Sequence, residues 1–208
     1  MPDTDWNKSI WGNAYDWSGQ GEEWSTTWGG SEAQWFGSLL PRIRSFVPCR
    51  SILEIAPGFG RWTRFLVGLC QTFTGVDISD VAIEKAKRRT EENGRAHKCR
   101  FLQSDIATYE PAQKFDVILF RDSIYYLDPS GIGAILERYG QWLNPGGVFI
   151  VKIWNGNGKH SRIVRLVKNN FEVVEEHWPQ QSNAAVLVFK GRCVVRSGAN
   201  GRPYRRAA

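Results

Sequence analysis

The chain has 208 residues, 42% of them hydrophobic and 23% charged, enough for one sizeable core and short for two. Its formal net charge of +6 is local: residues 190–208 hold six basic residues and no acidic ones, which leaves the body near neutral and makes nucleic acid an unlikely partner. No apolar run approaches the roughly 20 residues of a membrane span, the start MPDTDWNKSI lacks a signal-peptide pattern, and four cysteines and three histidines show no metal-ligand spacing; a cytoplasmic protein with reduced thiols, no metal and no membrane partner is expected.

Residues 1–47 form an expected N-terminal extension. Six of the ten tryptophans fall within the first 35 residues, in a stretch with no clean helical or strand period. Ser31 opens a helix, with Gln34 at the capping-box spacing, and Pro41 interrupts or restarts it. Residues 48–190 then alternate strands and helices. SILEIA (51–56) reads as a buried strand, a glycine loop follows, and RWTRFLVGLC (61–70) has helical spacing. TFTGVD (72–77) is a second strand. SDVAIEKAKRRTEENG (79–94) is a helix with Ser79 as N-cap, Val81, Ile83 and Ala86 facing inward, and Gly94 as its stop. CRFLQSD (99–105) and KFDVILFRD (114–122) are the next strands, the latter apolar enough to be covered on both faces. GIGAILERYGQWL (131–143) is a helix, NPGG a turn, and VFIVKIW (148–154) a strand broken only by Lys152. A short helix over SRIVRLVKN (161–169) leads to two strands, 171–178 and 184–191, with no helix between them. Residues 191–208 read as a basic, flexible tail.

This order predicts an α/β fold, Rossmann-like and doubly wound, with a mostly parallel seven-stranded sheet closed at one edge by an antiparallel hairpin. In such sheets ligands bind beyond the carboxyl ends of the strands. Here those ends carry Glu54, Asp77, Asp105 and the run Arg121-Asp122-Ser123, so four acids converge on one expected crevice. Asp77 lies 17 residues beyond Gly60, where a carboxylate can accept hydrogen bonds from both hydroxyls of a ribose. A dinucleotide loop would have a third glycine where Arg61 stands, and a first glycine where Ala56 stands. Gly58 and Gly60 instead would let backbone approach a ligand without a pyrophosphate.

These motifs resemble those of the class I S-adenosylmethionine-dependent methyltransferases, over about residues 50–190. Glu54, Gly58 and Gly60 match the first motif, an acid followed by GxGxG, with Ala56 in place of the leading glycine. Asp77-Ile78 in GVDIS matches the ribose-binding position, and Asp105-Ile106 in QSDI the adenine contact. FDVILFRDSIYYL resembles the fourth-strand motif, ending in Arg121, and LNPGGVFIV the entry to the fifth strand. The resemblance implies S-adenosylmethionine as cofactor and transfer of its methyl to an O or N atom of a small molecule or sugar unit.

Catalytic candidates follow the fourth and fifth strands: Asp122, Tyr125, Tyr126 and His160. A methyltransferase without a dedicated base is also compatible with the sequence. Tyr15, Trp24 and Trp28 are candidates for a lid whose aromatic faces cover the cofactor. The tetrapeptide usual in methyltransferases of nucleic-acid amino groups is missing, since RDSI stands in its place. Of the residues a metal-dependent catechol-type enzyme needs, only Asp122 and Asn155 are suggestive. Two alternatives stay open: a nicotinamide-dependent oxidoreductase, and a noncatalytic cofactor-binding or RNA-associated module.

Overall fold

The computed structural model describes residues 39–45, 49–60, 62–178 and 183–191. The expected lid residues Tyr15, Trp24 and Trp28, the Ser31–Gln34 cap, Arg61 and the basic tail lie outside these.

Seven strands form one sheet in the order β3-β2-β1-β4-β5-β7-β6. They are β1 Cys49–Ile55, β2 Cys70–Asp77, β3 Cys99–Gln103, β4 Phe115–Arg121, β5 Leu143–Trp154, β6 Glu172–His177 and β7 Ala184–Lys190. The first five pair in parallel, and β7 runs antiparallel between β5 and β6. The predicted architecture, edge hairpin included, is therefore the observed one. Helices α1 Leu40–Arg44, α2 Thr63–Leu66, α3 Asp80–Glu92, α4 Ile132–Gly140 and α5 Ser161–Asn170 connect or flank the strands. Pro41 sits in the first turn of α1, where its missing N–H costs nothing.

Each face of the sheet carries its own apolar cluster. Leu53, Ile118, Phe120, Phe149 and Val151 pack with Ile135, Leu136 and Tyr139 of α4 and Ile163, Val164 and Val167 of α5. On the other face Ile52, Phe73, Val117, Leu119 and Ile150 pack with Ile43 of α1 and with Trp62 and Leu66 around α2. Strand β4 alternates between the two clusters, which explains its continuous apolar run. In α5 the buried stripe Ile163, Val164, Val167 recurs at helical spacing, with Arg162, Arg165 and Lys168 turned outward.

Four details depart from the sequence reading. Val81 is 43% exposed, because the stripe of α3 that meets the sheet is Ala82, Ile83, Ala86 and Thr90, and Val81 lies off it. The helix expected over 61–70 spans only Thr63–Leu66; a 3₁₀ turn, Val67–Leu69, follows, and Cys70 already belongs to β2. Gly68 weakens that helix end by about 1 kcal/mol relative to alanine. The NPGG turn is drawn into β5, as an irregularity where pairing jumps from Phe115–Leu143 to Val117–Val148. Strand β3 stops at Gln103, so Asp105 sits in the following turn rather than on the strand. Ser79 does cap α3, its Oγ accepting the Ala82 N–H at 3.2 Å, and Gly94 at φ 65° ends it. Among the described residues no helix is long and apolar enough to cross a membrane.

Candidate active site

The carboxyl ends of β1, β2 and β4 build one half of the site. Strand β1 delivers Glu54, fully buried, into the loop Ala56–Gly60. Both carboxylate oxygens of Glu54 are engaged inside the protein: Oε2 accepts the Thr63 hydroxyl at 2.9 Å and Oε1 meets Arg121 Nε at 3.2 Å. Arg121 also donates to the Pro57 carbonyl at 3.4 Å. The expected cofactor residues Glu54 and Arg121 therefore act on each other and on the loop, as its clamp.

The loop is shaped by three left-handed residues. Ala56, Gly58 and Gly60 have φ of 55°, 55° and 67°. Only the two glycines adopt this region without strain, so alanine at 56 carries a conformational cost of about 1–2 kcal/mol. Its N–H bonds the Val76 carbonyl at 2.8 Å, which holds it there. The two glycines differ in purpose. A Cβ at Gly60 would lie 2.8 Å from the Cα of Ala86, so the close contact with α3 also requires glycine here. A Cβ at Gly58 would meet nothing within 4 Å, so that face of the loop is open.

Asp77 faces this loop from the end of β2. Its carboxylate accepts the Gly58 N–H at 3.2 Å and the Ser79 N–H at 3.0 Å. Burial is the largest influence on it and pushes its pKa from 3.8 up to about 6; the N–H groups of Ser79, Gly58 and Ile78 pull the other way, and the charge of Glu54 adds to the rise. Ile78 is half-buried, with its carbonyl accepting Gln103 at 3.3 Å. Next along the sheet, the Asp105 Oδ1 accepts the Ala107 N–H at 2.8 Å, which makes the turn. Asp105 Oδ2 is buried and has no hydrogen-bond partner among the described residues. The carbonyl of Ile106 receives Tyr139 Oη at 3.0 Å and the guanidinium of Arg138, which fixes the backbone beside it.

The ends of β4 and β5 build the other half. Asp122 has φ 54°, donates its N–H to the Lys152 carbonyl at 3.0 Å, and pairs with the Lys152 ammonium. The rings of Tyr125 and His160 stack at 4.5 Å, Tyr126 meets Tyr125 edge-on at 4.7 Å, and Trp154 meets His160 at 6.2 Å. The four catalytic candidates are thus brought to one place from β4, the turn after it and the start of α5. Burial, then the charge of Asp122 and the neighbouring Tyr126, push the Tyr125 phenol well up. A raised phenol pKa keeps Tyr125 protonated at neutral pH. Burial and Lys159 hold His160 below its usual value, so its imidazole is neutral at neutral pH. Asn155 is committed to the start of α5, accepting the His160 N–H at 2.8 Å and donating to Ser161 at 3.2 Å.

Sequence reasoning missed three contributors: Thr63, Ser123, whose hydroxyl bonds the Ile55 carbonyl at 3.0 Å, and Lys152. Lys152 had a signal, as the one charge within an apolar strand run, and so did Ser123, by its place at the end of the fourth strand.

Residues 52–147 match the family model described as a methyltransferase domain. Nodulation protein S of Bradyrhizobium diazoefficiens is 28% identical over 106 residues, covering 51% of this chain and 49% of that protein. A probable thiol methyltransferase 2 of Arabidopsis thaliana is 27% identical over 133 residues, covering 61% and 59%. The chain thus spans about half to three-fifths of the length of these curated relatives. Among solved structures, the N-methyltransferase NodS of Bradyrhizobium japonicum WM9 in complex with S-adenosylhomocysteine superposes with a TM-score of 0.62 at 20% identity, covering 74% of this chain and 84% of that one. The chain thus matches the methyltransferase-domain family over residues 52–147, on a seven-stranded fold that it shares with solved S-adenosylmethionine-dependent methyltransferases.

Proposed function

We propose that the domain transfers a methyl group from S-adenosylmethionine to an O or N atom of a small molecule or sugar unit. The observation that carries this is the side-by-side placement of two unlike half-sites: the loop with Asp77 and Asp105, and the ring cluster with Asp122. The first half suits the cofactor. Asp77 has lone pairs left over after its backbone bonds, as a carboxylate has about four acceptor sites, and these fit the two ribose hydroxyls. The unsatisfied Asp105 Oδ2 fits the exocyclic amine of an adenine, and the open face of Gly58 leaves room for the adenosyl chain.

When bound, S-adenosylmethionine supplies a methyl on a positive sulfur; the acceptor's lone pair takes the methyl, and the carbon–sulfur electrons stay with sulfur. The protein's part is to position the acceptor and receive its proton. Asp122 and the neutral His160 are the proton acceptors within the ring cluster, and Tyr125 orients by donating. The stacked rings give the acceptor an apolar wall that excludes water. Tyr15, Trp24 and Trp28, outside the described residues, remain the proposed lid over the cofactor. Two relatives bear on the acceptor class: one is named a probable thiol methyltransferase, and one solved neighbour an N-methyltransferase.

The test uses S-adenosylmethionine with a deuterated methyl and a panel of phenols, primary amines, thiols and amino sugars, read by mass spectrometry. A labelled product and calorimetric binding of S-adenosylhomocysteine are expected. Binding without any labelled product favours the noncatalytic module, and heat with NAD in place of S-adenosylhomocysteine refutes the assignment.

A further inference from the structure

Lys152 is the least expected side chain of the sheet. It sits in β5 between Val151 and Ile153, both fully buried, and is itself 8% exposed. A buried ion pair is a weak source of stability, because desolvation offsets the attraction, and an apolar pair of similar volume usually serves as well. Stability alone is thus a poor reason for Lys152. Its partner gives a better one. Asp122 is held in a left-handed conformation that non-glycine residues seldom adopt and that concentrates at functional positions. Lys152 grips it twice, by its carbonyl on the Asp122 N–H and by its ammonium on Oδ2. The other oxygen, Oδ1, is buried and has no hydrogen-bond donor among the described residues. The charge of Asp122 reaches the phenol of Tyr125, whose ring stacks on His160, with Tyr126 against Tyr125 and Trp154 against His160. The neighbouring cation, Arg121, is turned away to Glu54 and Pro57.

We propose that Lys152 is a positioning residue for the methyl acceptor: it fixes Asp122 so that Oδ1 receives the N–H or O–H of the incoming molecule. As the methyl arrives, that hydrogen passes to Oδ1 as a proton. The inference rests on the methyl-transfer reading and names the residue that orders its acceptor end. It also identifies the acceptor group as a hydrogen-bond donor in its resting form, so tertiary amines and thioethers are not substrates.

The test has two arms. The crystal structure of Lys152→Met with S-adenosylhomocysteine is expected to show Asp122 out of the left-handed region with its carboxylate displaced. An Asp122 that keeps its place there overturns the proposal, whatever the acceptor. The second arm measures turnover of the panel compound that the native enzyme methylates fastest. Lys152→Met should lose at least 10-fold in kcat while the dissociation constant for S-adenosylhomocysteine stays within twofold, and Lys152→Arg should recover part of that loss. The exchanged pair Asp122→Lys/Lys152→Asp restores an ion pair without an oxygen at the acceptor. It should recover melting temperature and not kcat. If kcat returns with the melting temperature, the pair is structural only and the proposal fails. Failure of the native protein to bind S-adenosylhomocysteine would refute the methyl-transfer reading instead, and is read separately.

Discussion

The two halves of the site are built by different means. The half around the glycine loop is made by neighbours in sequence: Glu54 and Gly60 are six residues apart, and Asp77 and Ser79 two. Asp77 there is bonded by the backbone N–H groups of Gly58 and Ser79, while Glu54 is held by the side chains of Thr63 and Arg121. The half around Asp122 draws on residues far apart in the chain: Asp122 meets Lys152 thirty positions on, and Tyr125 meets His160. It relies on rings and one ion pair. On the proposed reading, the constant adenosyl group is met by local turns that short motifs encode, and the variable acceptor by side chains that only the packed sheet brings together.

The comparison breaks most sharply at the clamp that joins the two halves. Arg121→Met leaves the fully buried Glu54 without its cation, and a loss of about 3–5 kcal/mol in urea unfolding is expected. A loss under 1 kcal/mol would show that Glu54 does not depend on Arg121. Next in size is Gly60→Ala, whose Cβ would press the backbone of Ala86 at a φ of 67°. It should cost about 1–3 kcal/mol, part of it recovered in the double variant with Ala86→Gly. No such recovery would place the strain elsewhere in the loop.

Asp77 tests the cofactor half directly. Asp77→Asn should weaken S-adenosylhomocysteine binding by about 1.5–3 kcal/mol, the range for hydrogen bonds to a charged group. The pH dependence has a defined sign. Its folded pKa of about 6 lies above the value near 3.9 of an unfolded aspartate, so the folded state binds the proton more tightly. The contribution of Asp77 to stability is then greatest below about pH 4 and is lost as pH rises through about 6. Cofactor affinity should run oppositely and strengthen through the same window, as the carboxylate forms. Calorimetry from pH 5 to 8 on the native protein and Asp77→Asn separates this group from others; parallel curves for the two would exclude it. The smallest effect belongs to Ala56→Gly. It removes the left-handed strain but frees the unfolded chain, for a net gain under about 1 kcal/mol. A destabilised glycine variant would mean that Ala56 is not strained.

The alternation of strands and helices, the hairpin edge and the ends of α3 were legible because each leaves a local trace. A continuous apolar run marked β4, the missing helix between residues 178 and 184 marked the hairpin, and Ser79 and Gly94 marked the ends of α3. Val81 was misread because the stripe of α3 is set by the angle at which it meets the sheet, and its own sequence allowed two faces. Helix α2 was misread because its residues pack well enough to be helical while Gly68 lets the chain turn early into β2. The catalytic candidates were found as residues at strand ends, yet their roles were not. The upward push on the Tyr125 phenol comes from its burial and the nearness of Asp122, which the sequence does not show.

The sequence by itself determined the fold class, the glycine loop and the acids that end the strands, since hydrophobic period and turn residues act over a few positions. Tertiary structure alone decided which of those acids are spent inside the protein and which retain an acceptor oxygen. Glu54 is consumed by Thr63 and Arg121, while Asp105 and Asp122 each keep one oxygen without a donor among the described residues. The reason is physical: a carboxylate's hydrogen bonds depend on what the sheet register sets beside it, and that register pairs Arg121 with Lys152 across strands that lie far apart in the chain.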